Sequence, residues 1–299
     1  MKNKIMKRKH SYSLINKLVL GFILRYVNGK SKKYVSDRGH RMAVYANDWI
    51  GLSIYLDGVY ERDCIDDLLA FVEHIGIDGE ATTALDIGAN IGNHSILFAK
   101  YFSKVYSFEP NINTFKLLEF NSSYRKNISP LNVGIGDFDG KLLMYEDDEN
   151  YGASSVIYAD EAKSAVEIKV IKLDSISNNF ENIKLIKIDV EGMELNVLKG
   201  AIETIKINYP IIAFEQNLAE FNDGEESPSI NFLRNLGYEI CLVQVDRLEW
   251  SKFRKLLIGI KEIFLGRCDT RNYFKITKVQ PGNYPMLIAL PRHYMDKIS

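Results

Sequence analysis

The sequence predicts an α/β chain built on a mostly parallel, doubly wound sheet with a late antiparallel strand. Three observations point there. Short apolar runs with strand character alternate with stretches of helical spacing from about residue 63 to residue 236. The first clear strand, Thr83-Ala-Leu-Asp-Ile87, passes through a glycine-bearing turn straight into a helical stretch. The next, Lys104-Val-Tyr-Ser-Phe108, ends on an acidic residue, Glu109. Strands alternating with helices build βαβ units, and the crossovers cover both faces of the sheet.

The elements follow in order. Residues 42–45 and 52–55 read as short strands, with Asp57-Gly58 as a turn signal. Residues 63–75 carry Ile65, Leu68, Leu69 and Val72 at helical spacing. After the strand at 83–87, helices are expected over 93–102 and 114–122, flanking the strand at 104–108. Residues 131–135 read as a third strand and 183–188 as a fourth, which leads into a helix over 192–205. A strand at 210–214, a helix at 230–236 and late strands at 238–244 and 286–290 complete the pattern. Between the late strands, residues 250–265 are apolar and basic and read as an inserted helix. Ligands of such sheets bind outside the carboxyl ends of the strands. The loops after Ile87, Phe108, Ile135, Ile188 and Phe214 are therefore where chemistry is expected.

Composition narrows the class. With 299 residues and 46% hydrophobic content, the chain can bury one large core, with or without an extension. A net charge of -1 gives no global attraction to nucleic acid, and no nucleic-acid partner is expected. Cys64, Cys241 and Cys268 form no CxxC pair and no metal-ligand spacing, so they read as free thiols in a reducing, cytoplasmic setting. The expected organisation is a basic segment over 1–40 and a single catalytic domain over 41–299.

That first segment is distinctive. Lys2, Lys4, Lys7, Arg8, Lys9, Lys17, Arg25, Lys30, Lys32 and Lys33 occur before any Asp or Glu. They surround Leu14-Ile-Asn-Lys-Leu-Val-Leu-Gly-Phe-Ile-Leu24, which falls short of the roughly 20 apolar residues of a membrane span. No small-residue cleavage site follows it, so a signal peptide is not expected. Two readings stay open: a helix packed on the body with a solvated basic tail, or a basic amphipathic helix lying on the inner face of an anionic membrane.

The turn Asp86-Ile-Gly-Ala-Asn-Ile-Gly92 follows a strand and opens a helix. Gly88 and Gly92 let the backbone pass close to a ligand, and the helix start offers unpaired N–H groups. A dinucleotide fingerprint needs GxGxxG, and here Asn90 and Asn93 stand where its second and third glycines belong. Asp86 also repels phosphate and suits a cationic ammonium or sulfonium group instead. Glu109 sits where the acidic residue of nucleotide folds accepts bonds from ribose hydroxyls. Asp137 either reaches an adenine amino group or serves the turn Asp137-Phe-Asp-Gly140.

These pieces, in this order, resemble the FkbM family of S-adenosylmethionine-dependent methyltransferases. The resemblance rests on Asp86–His94, Phe108-Glu-Pro110, Asn132–Asp137, Leu173-Asp174, Lys187-Ile-Asp-Val-Glu-Gly192 with Glu194 and Leu198-Lys-Gly200, and Phe214-Glu215. Gly58-Val-Tyr-Glu61 and the stretch at 286–291 extend it. It implies a Rossmann-like class I methyltransferase fold, S-adenosylmethionine (SAM) as methyl donor, and O-methylation of a sugar, glycan or related small-molecule hydroxyl. By position it implies Asp86, Gly88, Asn90, Gly92 and Asn93 at the methionine half of SAM, Glu109 at the ribose and Asp137 at the adenine. Val133 and Gly134 depart from an alanine common at that motif, which weakens the adenine contact.

The acidic loop Lys187-Ile-Asp-Val-Glu-Gly-Met-Glu194 places Lys187 and Asp189 on one face of a strand end. They form either a simple ion pair or part of the catalytic apparatus. A hydroxyl is a weak nucleophile, and a general base adds about 10²–10⁴-fold. Asp189 is the first candidate for that base or for orienting the acceptor, Glu191 the second and His94 the third. The cluster offers too few unambiguous ligands for a metal, and none is expected. Tyr151–Ser155 reads as a surface loop that also has the position to shape an acceptor site. Two other functions compete: a nicotinamide-dependent oxidoreductase, disfavoured by Asp86 and the missing glycines, and a SAM-binding protein without catalysis.

Overall fold

The computed structural model describes residues 14–38, 41–45, 48–146, 164–221, 225–245 and 271–298. Apolar alternation in the strands decides its layering. In β1 (Thr83–Ile87) Ala84 turns to one face while Leu85 and Ile87 turn to the other. β7 (Ile183–Ile188) divides Leu185 from Ile186 and Ile188 in the same way, and β8 (Ile211–Gln216) divides Ile211 and Ala213 from Ile212 and Phe214. Side chains thus leave both faces apolar, and each face is covered by helices.

One face packs on α3 (Arg62–His74) and α4 (Asn93–Tyr101), which contribute Ile65, Leu68, Phe71, Val72, Ile96 and Phe98. The other packs on α6 (Glu194–Gly200), α7 (Ile202–Asn208) and α8 (Pro228–Asn235) through Val197, Leu198, Ile205, Ile230 and Leu233. Ser227 caps α8, accepting the Ile230 amide, and Pro228 opens the helix where no amide is needed.

The main sheet has eight strands in the order β10-β9-β11-β8-β7-β1-β2-β3. Here β2 is Lys104–Phe108, β3 Ile128–Leu131, β9 Tyr238–Val245, β10 Arg271–Ile276 and β11 Tyr284–Pro291. β3, β2, β1, β7 and β8 run parallel, while β11 is antiparallel to both β8 and β9. This is the expected doubly wound α/β sheet with a late antiparallel strand. β1 lies between β2 and β7, so the chain order reverses there and the switch-point crevice opens over β1 and β7.

Several expectations are corrected. Residues 52–55 are not a strand but part of α2 (Trp49–Asp57). Asp48 Oδ1 accepts the Ile50 amide at its start, and Gly58 in the left-handed region ends it by donating to the Ile54 carbonyl at 2.9 Å. Residues 42–45 are irregular. The third strand is split: Leu131 pairs with Phe108 in the main sheet, whereas β4 (Gly134–Ile135) pairs with Val170 and Ile171 of β6 (Ser164–Ile171). β6 also pairs with β5 (Gly140–Glu146), and the three form a second small sheet not foreseen from the sequence. The single helix expected at 192–205 is two, separated at Ala201. Within the basic segment, the described residues form α1 (Leu14–Arg38), which packs against α2. The expected helix at 250–265 and the loop at 151–155 lie outside the described residues.

Leu68 is fully buried between α3 and the sheet. Leu68→Ala is expected to lower unfolding stability by about 2–5 kcal/mol, while the exposed Ile207→Ala is expected to stay within about 0.5 kcal/mol, both read from urea melts.

Candidate active site

The strand register builds the site's centre. Asp86 of β1 pairs with Lys187 of β7, so both side chains leave the same face at the carboxyl edge. Lys187 is only 4% exposed, and Asp86 is fully buried. The Lys187 ammonium lies 2.8 Å from Asp189 Oδ2 and 3.8 Å from Asp86 Oδ1. Burial disfavours the ammonium, but Asp189 and Asp86 outweigh burial and hold Lys187 above lysine's ordinary pKa. Burial pushes Asp86 upward, against Lys187 and against Ser95, whose hydroxyl donates to Asp86 Oδ2 at 2.5 Å. Burial also acts on Asp189, yet the Lys187 charge wins and keeps its carboxyl below the usual range.

The first turn is tied to this centre by its backbone. The Asp189 amide donates to the Ile87 carbonyl at 3.0 Å, and the Gly88 and Ala89 amides donate to the Phe108 carbonyl. Gly88 has φ +80, and a Cβ there would fall 1.7 Å from the Asp189 carbonyl oxygen. The close approach that Gly88 permits is therefore to the Asp189 backbone. At Gly92 it is to the Leu118 side chain. Glu109, at the end of β2, accepts the Asn90 amide at 3.0 Å and the Asn111 amide at 2.8 Å. Burial pushes its carboxyl up to about 7 in spite of these bonds. Asn93 braces the opposite wall by exchanging bonds with the Tyr60 backbone.

The mouth of the site is acidic. Asp189, Glu191 and Glu215 each present a carboxylate oxygen within 4.8 Å of the others. Burial pushes Glu191 upward, with Asp189 adding to it. Burial and then Asp189 carry Glu215 up to about 8. Glu61 rises for the same two reasons. Among the described residues, Asp189, Glu191 and Glu215 are the group with spacing to hold a cation, but Lys187 already holds Asp189 Oδ2. His94 is 6% exposed, and its Nε2 lies 3.6 Å from Glu61 Oε2. Burial and the Lys187 charge push it down to about 3, so it is neutral near neutral pH.

These groups line one cavity of about 240 Å³ over the switch point. Of the residues expected from sequence, Gly88, Asn90, Asn93, Glu109, His94, Lys187, Asp189 and Glu191 line it. Asp86 and Gly92 do not: Asp86 is sealed behind Lys187, and Gly92 faces α5 (Ile112–Ser122) at Leu118. Asp137 does not either: its backbone nitrogen lies beside Gly200 at the end of α6, while Gly134 and Ile135 line the cavity.

Other lining residues had no role from sequence. Tyr60, Glu61 and Glu215 belonged to recognisable motifs but carried no chemical argument until the fold brought them together. Trp49 and Ile50 come from the helix misread as a strand, and Leu142, Met144, Ile168 and Val170 from the unforeseen small sheet.

Residues 86–240, more than half of the chain, match the Methyltransferase FkbM domain. The chain belongs to that family. This FkbM chain is similar to the hexuronic acid methyltransferase AglP of Haloferax volcanii, at 30% identity over 131 residues. That match covers 42% of this chain and 53% of the relative, so the chain spans about half the length of the curated relative it matches. Among solved structures, methyltransferase FkbM from Methylobacillus flagellatus shares 19% identity, over 62% of this chain and 48% of that one, with a TM-score of 0.35. Aeropyrum pernix fibrillarin with bound S-adenosyl-L-methionine shares 14% identity, over 61% and 70% of the two chains, with a TM-score of 0.37.

Two outcomes are expected. Lys187→Met leaves Asp86 buried without its cation and is expected to lower stability by about 3–5 kcal/mol in denaturant melts. Glu109 has a raised pKa, so it binds its proton more tightly folded than unfolded. Its stabilising share is complete below the unfolded value of 4.5 and lost as pH rises through about 7. Across that window Glu109→Gln is expected to lose less stability with rising pH than the parent chain, measured as Tm against pH.

Proposed function

We propose that the chain transfers a methyl group from SAM to a hydroxyl oxygen of a sugar or sugar-like acceptor. The observation that carries this reading is the carboxyl-rich lining of the cavity, whose raised groups ionise readily beside an entering cation. Its wall holds Glu61, Glu109, Asp189, Glu191 and Glu215 against one lysine, Lys187. Such a lining favours a ligand with cationic ammonium and sulfonium groups and repels a pyrophosphate. It therefore supports SAM over a nicotinamide dinucleotide, the competing reading from sequence.

The residues present fit that donor. Glu109 is held by two backbone amides at the end of β2, where an acidic residue takes ribose hydroxyls. Gly88, Asn90 and Asn93 form the adjoining wall for the methionine half. Leu142, Met144, Ile168 and Val170 offer an apolar surface for a flat ring. SAM supplies an electrophilic methyl carbon on a positively charged sulfur.

On the acceptor side, Asp189 is the group placed to act. Its side chain is partly exposed to the cavity while Lys187 fixes one oxygen and keeps it ionised. As an ionised acceptor it takes a hydrogen bond from the sugar hydroxyl, aligns the oxygen, and receives the proton as that oxygen becomes an ether. Burial and the Asp189 charge raise Glu191 and carry Glu215 up to about 8, so Asp189 is the one carboxyl of the three held below its ordinary range. Carboxyl groups driven to opposite protonation states by their surroundings are how such sites divide acid from base. Much of the acceleration comes from holding hydroxyl and methyl aligned, up to about 7–11 kcal/mol in favourable cases. The likeness to a hexuronic acid methyltransferase supports a sugar-like acceptor.

Calorimetric titration is expected to show SAM binding and no NAD binding. Asp189→Asn is expected to retain SAM affinity while methyl transfer to a uronic acid or related glycoside falls by about 10²–10⁴-fold. NAD binding in place of SAM would overturn the donor, and unchanged transfer by Asp189→Asn would overturn the role of Asp189.

A further inference from the structure

α1 presents apolar side chains to solvent along most of its first half. Leu18, Val19, Leu20, Phe22, Ile23, Leu24 and Tyr26 are all exposed, Phe22 by 75%. Large exposed apolar stretches on a folded chain mark an interaction surface. The run from Leu18 to Leu24 is far shorter than the roughly 20 residues of a span, and no helix among the described residues is long and apolar enough to cross a membrane.

The second half of α1 is anchored. Tyr55 of α2 donates to Asn28, and Tyr34 packs its ring over Gly58. α2 adds exposed apolar residues of its own, Leu52, Tyr55, Leu56 and Trp49, the last 67% exposed. Trp49 and Ile50 also line the catalytic cavity, so the exposed apolar surface runs up to its rim.

Charge decides what this surface fits. Lys17, Arg25, Lys30, Lys32 and Lys33 lie on α1, the basic residues from Lys2 to Lys9 precede it in sequence, and no acidic residue occurs before Asp37. Apolar and basic residues are segregated along the helix rather than around it. The apolar stretch is flanked on both sides by cations. With Leu18 to Leu24 exposed all round the helix, that arrangement suits burial of this half among acyl chains, with the flanking lysines reaching back to the headgroups. A protein partner of the same area would need an acidic rim around an apolar centre. An anionic leaflet offers both as a continuous surface.

We propose that α1 and the exposed ridge of α2 form a docking surface for an anionic lipid bilayer, which sets the mouth of the cavity at the membrane surface. Docking does not depend on the reaction assigned above. Its consequence, an acceptor hydroxyl presented at the membrane surface, rests on that reading.

Vesicle flotation of the full chain separates the outcomes. The chain is expected to float with phosphatidylcholine vesicles containing phosphatidylglycerol and to remain in the aqueous fraction with phosphatidylcholine alone. Raised salt is expected to weaken flotation by screening the lysines. The triple variant Lys30→Glu, Lys32→Glu, Lys33→Glu is expected to lower partitioning by at least about fivefold per position. Phe22→Asp with Ile23→Asp is expected to abolish flotation with Tm and SAM affinity unchanged. Full retention in the aqueous fraction with anionic vesicles at low salt overturns the proposal, as does equal flotation with neutral vesicles. A lowered Tm in the Phe22/Ile23 variant, or a stable dimer that this variant dissociates, also overturns it, because the face is then covered by protein.

Discussion

A buried lysine organises the site. Lys187 stands at the carboxyl edge of the sheet, almost without solvent, and an ammonium there is tolerable only if anions meet it. Asp86 supplies one from the neighbouring strand and Asp189 the other from the loop beyond. The register that pairs Asp86 with Lys187 is thus more than a hydrophobic match. A slip of one residue in β7 would send Lys187 to the opposite face, into the apolar layer beneath α6 and α8, and leave Asp86 without its cation.

The same constraint shapes the loops. To bring Asp189 back over Lys187, its backbone passes so near the first turn that only glycine fits at position 88. Asn90, Glu191 and Glu61 hold positive φ around the cavity, a conformation that side chains other than glycine adopt at some expense. Such backbone positions concentrate where a site demands a shape the chain would not otherwise choose. Their effect here is to aim several carboxyl groups into one cavity. The resulting field keeps Asp189 ionised while it drives Glu61, Glu191 and Glu215 toward their neutral forms.

Much of the fold was legible because strong local signals agreed with the final packing. The strands at 83–87, 104–108 and 183–188 are apolar runs closed by turn or acidic residues, and they appear where expected. Legibility failed where local and tertiary signals diverged. Leu52-Ser-Ile-Tyr55 alternates like a strand, but Asp48 and Gly58 cap a helix around it. Residues 131–135 read as one strand, yet Leu131 and Gly134 find partners in different sheets. β5 and β6 went unseen, and with them the apolar wall of Leu142, Met144, Ile168 and Val170.

The sequence by itself determined the sheet's class, the loops where chemistry is expected and the placement of Lys187 and Asp189 on one face of a strand end, because each follows from strand periodicity and residue type. It also identified the family through motifs whose order survives without coordinates. Only the tertiary structure decided which side chains meet in the cavity. Asp86 is sealed behind Lys187 and Asp137 stands outside the cavity lining, while Tyr60, Glu61 and Glu215 arrive from distant segments. The physical reason is that strand order, and the side to which each loop bends, are settled by long-range packing and hydrogen bonding. No local window of residues contains that information.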